Sequence, residues 1–291
     1  MARIAIIGGG SIGEALLSGL LRAGRQVKDL VVAERIPERA KYLADTYSVL
    51  VTSVTEAAEN AAFVVVAVKP ADVESLMGEL ARVAAAAEDD SPDQVFVTVA
   101  AGITVTYLES KLPAGTPVVR AMPNAAALVG AGVTALAKGR FVTPAQLEEV
   151  SGLFDAVGGV LTVAESHMDA VTALSGSGPA YFMLMVEALV DAGVAAGLTR
   201  EVATELTAQT MAGSTAMLLE ALDQERRPRA GEGLGKRVDA SAAQLRATVT
   251  SPGGTTAAAL RELERGGLRA AVDAAVQAAK TRSEQLRITS E

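Results

Sequence analysis

The sequence predicts an α/β protein: an N-terminal Rossmann-type doubly wound parallel sheet followed by a C-terminal all-α dimerisation domain. Three observations predict it. Short apolar runs alternate with helical patterns through the first half. A glycine-rich turn follows the first of those runs. From about residue 166 the strands stop, and long helical patterns follow with apolar residues on more than one face. Such helices suit burial against a partner subunit as well as against each other. At 291 residues the chain is long enough for about two domains. They are expected over residues 1–164 and 165–291.

Residues 3–7 read as the first strand and 12–22 as the first helix. Residues 30–33 give a strand and 38–47 a helix. The unbroken apolar run 62–68 suits a central parallel strand buried on both faces. Residues 73–87 are helical, 95–99 a strand and 104–111 a short helix. Further strands are expected at 118–121, 133–137 and 160–163. Between them, helix 144–157 starts on Pro144, where the missing N–H costs little. The second half holds helices at 179–196, 200–222, 255–264 and 268–286. Gly266-Gly267 separates the last two, as a C-cap should. Residues 225–238 are rich in Arg and Gly and read as an exposed loop. A basic patch for an anionic partner is the alternative there.

Composition removes several function classes. With no cysteine there is no disulfide framework, thiolate metal site or Cys nucleophile. A single histidine argues against a His-based zinc site or a Ser-His triad, and no metal is expected. That residue, His167, reads as a surface or packing group. The net charge of −8 argues against nucleic-acid binding by a basic face. The opening Met-Ala-Arg-Ile-Ala-Ile-Ile lacks the layout of a signal peptide. No run of 18 residues is both uncharged and unbroken, so no membrane helix is expected. A soluble cytoplasmic protein is the simplest expectation.

Gly8-Gly9-Gly10-Ser11-Ile12-Gly13 fits G-x-G-x-x-G. Its place between a strand and a helix is what the dinucleotide fingerprint requires. Gly8 allows the tight turn, Gly10 lets backbone approach a pyrophosphate, and Gly13 permits close helix–strand packing. The N–H groups of Ser11 and Ile12 then open the helix toward the phosphates. The end of the second strand carries conflicting cues. Glu34 suits a ribose 2′-OH, while Arg35 and Arg39 suit a 2′-phosphate. A surface ion pair between Glu34 and Arg39 is a third reading. In the second half, Leu174-Ser175-Gly176-Ser177-Gly178-Pro179-Ala180-Tyr181 precedes one long helix, and Ser251-Pro252-Gly253-Gly254-Thr255-Thr256 precedes another. The latter can expose successive N–H groups as a nest for a small carboxylate.

Together and in this order, these stations resemble the Δ1-pyrroline-5-carboxylate reductases, which catalyse the last step of proline biosynthesis. The resemblance also takes in Ala67-Val68-Lys69-Pro70, Ala100-Ala101-Gly102-Ile103-Thr104 and Arg120-Ala121-Met122-Pro123-Asn124. It closes on Leu263-Glu264-Arg265-Gly266-Gly267-Leu268-Arg269. It implies hydride transfer from NADPH, or NADH, to a cyclic imino acid. It places the substrate carboxylate at Ser251, Gly253, Gly254 and Thr255, and the imine nitrogen at Thr256. It adds Val68, Lys69, Pro70, Ala100 and Asn124 to the cofactor contacts. It also implies a homodimer, with further assembly into a ring, whose active sites use both subunits. Three stretches depart from the family pattern: Ala125-Ala126 in place of Thr-Pro, Leu245-Arg246-Ala247 in place of Leu-Lys-Asp, and 225–238 in place of a short link.

Two other classes compete. One is a related two-domain reductase acting on a different imine or on a 3-hydroxy acid; the hydroxy-acid relatives need a lysine on the first long helix of the second half, and residues 177–196 contain none. A dinucleotide-binding regulator needs no intact substrate loop, yet 251–256 is intact.

Overall fold

The computed structural model describes residues 2–86, 94–226 and 242–288. The described part of the first half alternates strands and helices as expected: β1 Ile4–Ile7, α1 Ser11–Arg22, β2 Leu30–Ala33, α2 Pro37–Tyr47, β3 Leu50–Thr52, α3 Val54–Ala58, β4 Phe63–Val66 and α4 Pro70–Ala86. It continues through β5 Val95–Thr98, α5 Val105–Lys111, β6 Val118–Met122, β7 Gly132–Lys138, α6 Pro144–Asp155 and β8 Gly158–Thr162. The strands form one sheet in the order β3-β2-β1-β4-β5-β6-β7-β8. Every neighbouring pair is parallel except β6 with β7. Strand order reverses between β1 and β4, which creates the crevice where open α/β sheets bind ligands.

Side-chain alternation explains why both faces are covered. On β1, Ile4 and Ile6 enter one core cluster with Leu16, Leu20 and Phe154 from the helices. Ala5 and Ile7 enter the opposite cluster with Val73, Met77 and Leu80 of α4. All four β1 residues are buried, as are all four of β4. Each large aliphatic side chain buried this way contributes about 1.5–3 kcal/mol.

Elements that the sequence reading omitted are short. Three-residue β3 lies at the sheet edge, and its Leu50 is exposed. Five-residue α3 starts at a capping box, in which Ser53 caps the Glu56 N–H and the Glu56 side chain accepts from the Ser53 N–H.

The remaining helices are α7 Met168–Val171, α8 Gly178–Ala195, α9 Arg200–Arg226, α10 Ala242–Thr248, α11 Thr255–Arg265 and α12 Leu268–Gln285. Residues 225 and 226 end α9; the rest of the Arg/Gly-rich stretch lies outside the described residues. The segment read as preceding α8 is itself helical: α7 runs into a π-helical turn at Thr172–Gly176 and on into α8. The helical run Glu165–Ala195 is thus, among the described residues, the one stretch long and apolar enough by length and composition to cross a membrane. The sequence reading expected no such stretch, counting Gly, Pro and polar residues as breaks; here the helical run passes through Gly176 in the π turn and through Gly178 and Pro179 at the start of α8.

By compactness the chain forms one unit from Met1–Pro179 with Val276–Glu291, and another from Ala180–Ala275. The expected boundary at 164/165 marks the change from strands to helices; compactness divides the chain later and returns its C-terminal end to the first unit. That return is anchored by charge. Asp169 of α7 is 1% exposed. It accepts from Ser283 Oγ at 2.7 Å and pairs with Arg287. Nearby, Arg120 of β6 pairs with Glu165 at 2.8 Å. The Ile288 N–H donates to the Gly102 carbonyl at 3.1 Å, and Ile288 forms a parallel bridge with Ile103.

Burial would raise the Asp169 carboxyl, but hydrogen bonds from Arg287 and Ser283 and the Arg287 charge outweigh it and hold it below its ordinary value. Its stabilisation is therefore present above the ordinary carboxylate range and lost as pH falls toward the depressed folded value. Replacing Arg287 by Ala leaves this carboxylate buried with the Ser283 hydrogen bond and the charge of Arg120, and is expected to cost about 3 kcal/mol near neutrality. The deficit relative to the unaltered protein should shrink from about pH 5 downward. Urea unfolding across pH checks this; a pH-independent deficit refutes the assignment.

Candidate functional site

The glycine turn sits at the carboxyl end of β1, and each glycine has a distinct reason to be there. Gly8 adopts φ +107°, and a Cβ on it would lie 2.8 Å from the Ala67 carbonyl carbon and oxygen. A Cβ on Gly13 would meet the Gly8 oxygen at 2.0 Å, so α1 can start against the turn only without one. Gly10 is different. It has ordinary extended backbone and is the N-cap of α1, with no side-chain capping bond. A Cβ there would meet nothing within 4 Å. Space over Gly10, bordered by an uncapped helix N-terminus, fits the pyrophosphate of a dinucleotide.

Side chains from β2 and α2 clamp the turn. Glu34 accepts the Gly9 N–H through Oε2 and the Ile36 N–H through Oε1, both at 2.9 Å. Arg39 donates through Nε to the Gly9 carbonyl at 2.7 Å and pairs with Glu14. Arg39 also lies over the Tyr42 ring, 4.9 Å from its centroid. The partner of Arg39 is thus Glu14, and Glu34 and Arg39 hold the N–H and the carbonyl of one residue. Burial alone would raise the Glu14 carboxyl, but hydrogen bonds from Arg39, Tyr47 and Tyr42 and the Arg39 charge hold it below its usual range. Tyr47 is pushed up to about 12, first by burial and then by donating to Glu14.

Arg35 is turned elsewhere, onto Asp72 of α4. Lys69 is exposed beyond β4, with Val68 and Pro70 half-buried beside it. Ala100 is buried beyond β5, and its N–H donates to Thr98 Oγ1 at 3.2 Å. Asn124 accepts the Val133 N–H at 3.2 Å, which ties the end of β6 to β7. The cofactor residues expected from the sequence therefore lie at the carboxyl ends of adjacent strands β2, β1, β4, β5 and β6.

In the second unit, Gly253 has φ +70° and Gly254 is the N-cap of α11, without a side-chain capping bond. The Gly254 N–H donates to the Ser251 carbonyl at 3.0 Å, closing residues 251–254 into a turn. Ser251, Pro252, Gly253 and Thr255 are exposed; Gly254 and Thr256 are half-buried. A cleft of about 480 Å³ adjoins this turn between α10 and α11, lined in part by Arg246, Thr250, Arg261 and Glu264. Arg246, one of the departures from the family pattern, reaches Glu264 of α11 at 4.0 Å. Among the described residues, no three His, Asp or Glu side chains gather as metal ligands do. His167 is exposed at the end of a short 3-10 turn.

A family model described as pyrroline-5-carboxylate reductase dimerisation matches residues 165–286. One described as NADP oxidoreductase, coenzyme F420-dependent, matches residues 3–102. A pyrroline-5-carboxylate reductase of Mycobacterium leprae is 81% identical over 291 residues, covering 100% of this chain and 99% of the relative. The chain belongs to the pyrroline-5-carboxylate reductase family. Among solved structures, a family member from Coxiella burnetii superposes with a TM-score of 0.87 at 34% identity, covering 99% of each chain. A Plasmodium falciparum pyrroline carboxylate reductase with NADP bound gives 0.79 at 27%, covering 99% of this chain and 98% of that one.

The sequence reading missed Arg39 as a clamp on Gly9 and Glu14 as its counter-charge. An acid in the first turn of α1 and a base one turn into α2 were the only available signals. Replacing Gly10 by Val should cost no more than about 1 kcal/mol, from the poorer N-cap, since its surroundings are open. The same change should abolish dinucleotide binding. Fluorescence titration with NADPH alongside urea unfolding separates the two; retained binding would remove Gly10 from the phosphate site.

Proposed function

We propose that this chain reduces 1-pyrroline-5-carboxylate to L-proline with NADPH as hydride donor, in the last step of proline biosynthesis. Family membership along the whole chain carries this reading, and the glycine turn, open over Gly10, supports it. Bound NADPH supplies the hydride that C5 of the imine accepts. The protein's task is to bind, orient and exclude water. In this reading Gly8, Gly10, Ser11, Ile12 and Gly13 cradle the pyrophosphate. Glu34 and Arg35 flank the adenosine ribose, and Val68, Lys69, Pro70, Ala100 and Asn124 line the rest of the cofactor.

The substrate carboxylate is assigned to Ser251 and to the N–H groups of Gly253, Gly254 and Thr255. Positive φ at Gly253 and the uncapped start of α11 support that assignment. The Thr256 hydroxyl is assigned to the ring nitrogen, which carries a proton in the product amine. A threonine hydroxyl is a weak acid, so Thr256 holds and orients that nitrogen while the substrate arrives as iminium or water completes the proton path.

The chain acts as a homodimer, with a ring of dimers as the larger assembly, in the cytoplasm, on a small imino acid and without nucleic-acid or membrane partners. Exposed apolar residues support a partner subunit: Phe182, Met183 and Leu184 on α8, and Leu206 and Leu219 on α9. Val190 and Ala203 are the only buried hydrophobics among the described residues of the second unit. So thin a core points to stabilisation by a second copy.

Loss of NAD(P)H absorbance with pyrroline-5-carboxylate, with proline quantified, tests the reaction. Turnover with neither cofactor, from a protein that still binds dinucleotide, would overturn it in favour of another imine or a regulatory role. Thr256→Ala should lower kcat/KM about ten- to a hundred-fold, the loss of one hydrogen bond to a charged group. Its NADPH affinity should stay unchanged. Full turnover by that variant removes Thr256 from the mechanism.

A further inference from the structure

Arg35 and Asp72 lie on opposite sides of the glycine turn. Arg35 stands two residues beyond β2, and Asp72 lies in the first turn of α4, beyond β4. Strand β1 runs between β2 and β4, and all three are parallel. The carboxyl ends of the three strands therefore share one edge, with the glycine turn in the middle. The Arg35 Nη1 and Nη2 groups donate to Asp72 Oδ1 and Oδ2 at 3.0 and 3.1 Å. This end-on fork spans from the β2 loop to the β4 loop across the carboxyl end of β1. It engages both terminal nitrogens of the guanidinium next to the place where a dinucleotide's adenosine ribose belongs.

Within the proposed dinucleotide-dependent function, on which this inference rests, we propose that Asp72 sets cofactor selectivity by competing with the 2′-phosphate of NADPH for Arg35. Arg35 is the cation placed to meet a 2′-phosphate in bidentate fashion, as guanidinium does best. Arg39 is already committed to the Gly9 carbonyl and Glu14. NADPH binding must take Arg35 from Asp72 and leaves that carboxylate near a dianionic phosphate. NADH carries no such phosphate and leaves the pair intact. Asp72 therefore lowers the preference for NADPH over NADH without contacting the reacting atoms.

The pair is solvent-exposed, with the Arg35 side chain 74% accessible, so its competition is modest. Exposed pairs contribute about 0.2–1 kcal/mol, which sets an expected gain of up to about five-fold. Asp72→Asn should tighten binding of NADPH and of 2′,5′-ADP by about two- to five-fold. Binding of NADH and 5′-AMP should not change. In an Arg35→Ala background, the Asp72→Asn substitution should change the ratio of the two affinities by less than in the unaltered protein, because only the carboxylate–phosphate repulsion is then relieved.

Fluorescence and calorimetric titrations of the full-length protein read these values without turnover. A weakened or unaltered affinity for 2′,5′-ADP in Asp72→Asn overturns the proposal, as does an equal gain in the Arg35→Ala background. If the unaltered protein binds neither dinucleotide, the functional reading itself fails, and the two failures are told apart. Low salt should enlarge the gain, because both contacts are ionic and exposed.

Discussion

Close backbone contact at the first turn is the constraint on which the nucleotide-binding unit depends. The Gly8 carbonyl lies where a Cβ of Gly13 would stand, and Gly8 itself packs against the carbonyl of Ala67 beyond β4. These two contacts set how closely α1 approaches the strand edge and how β1 and β4 meet at the point where strand order reverses. Substituting either glycine would move backbone, which a packed interior absorbs poorly. The Gly9 peptide units are then fixed from outside, with Glu34 on its N–H and Arg39 on its carbonyl. A turn held this way keeps its donors oriented before any ligand arrives, and preorganisation of that kind reduces the ordering cost of binding.

Charge organises the rest of this edge. Arg39 offsets Glu14, and Glu34 is held by two backbone N–H groups, so one of the two carboxylates beside the helix N-terminus is compensated by charge and the other by hydrogen bonds. Arg35 is held by Asp72 along the same edge. The acid and the two bases after β2 have separate partners within the chain. Glu34 supports the backbone, Arg39 supports the backbone and Glu14, and Arg35 faces outward. A sequence pattern that assigns one residue to the ribose hydroxyl does not capture this division, because each partner comes from a different element.

Legibility in the sequence followed the strength of the physical signal. Strand β2 was readable at residues 30–33 and observed as Leu30–Ala33. β4, buried on both faces, announced itself as an uninterrupted apolar run. Edge strand β3 and helix α3 were missed: neither is long enough for a period, although the Ser53–Glu56 capping box was a signal for the latter. The Ser175–Pro179 stretch was legible as the start of a long helix, since α8 begins at Gly178; the π turn over Thr172–Gly176 that makes the residues before it helical had no sequence signal. At the candidate site, the glycines were legible since their roles are backbone roles with fixed spacing. Arg39–Glu14 and Arg35–Asp72 were not, since pairs separated by 25 and 37 residues depend on sheet order rather than on local pattern.

The C-terminal end of the chain adds a constraint of a different kind. Residues 283–288 reach Asp169 and the loop after β5, where Gly102 adopts φ +76° and a Cβ would lie 2.5 Å from the Leu286 carbonyl oxygen. That loop begins with Ala100, one of the residues assigned to the cofactor. The terminal helix starts among the residues of the second unit and finishes in the first. Ser283 near its end bonds to Asp169, in the run matched by the dimerisation model, and Ile288 just beyond it bonds to Gly102. Residues 283–288 therefore brace both the loop after β5 and the start of the segment that the dimerisation model matches. Asp169 is buried with its charge met by Arg287 and Ser283, and glycine at 102 is required twice, by its positive φ and by the close approach of the Leu286 carbonyl.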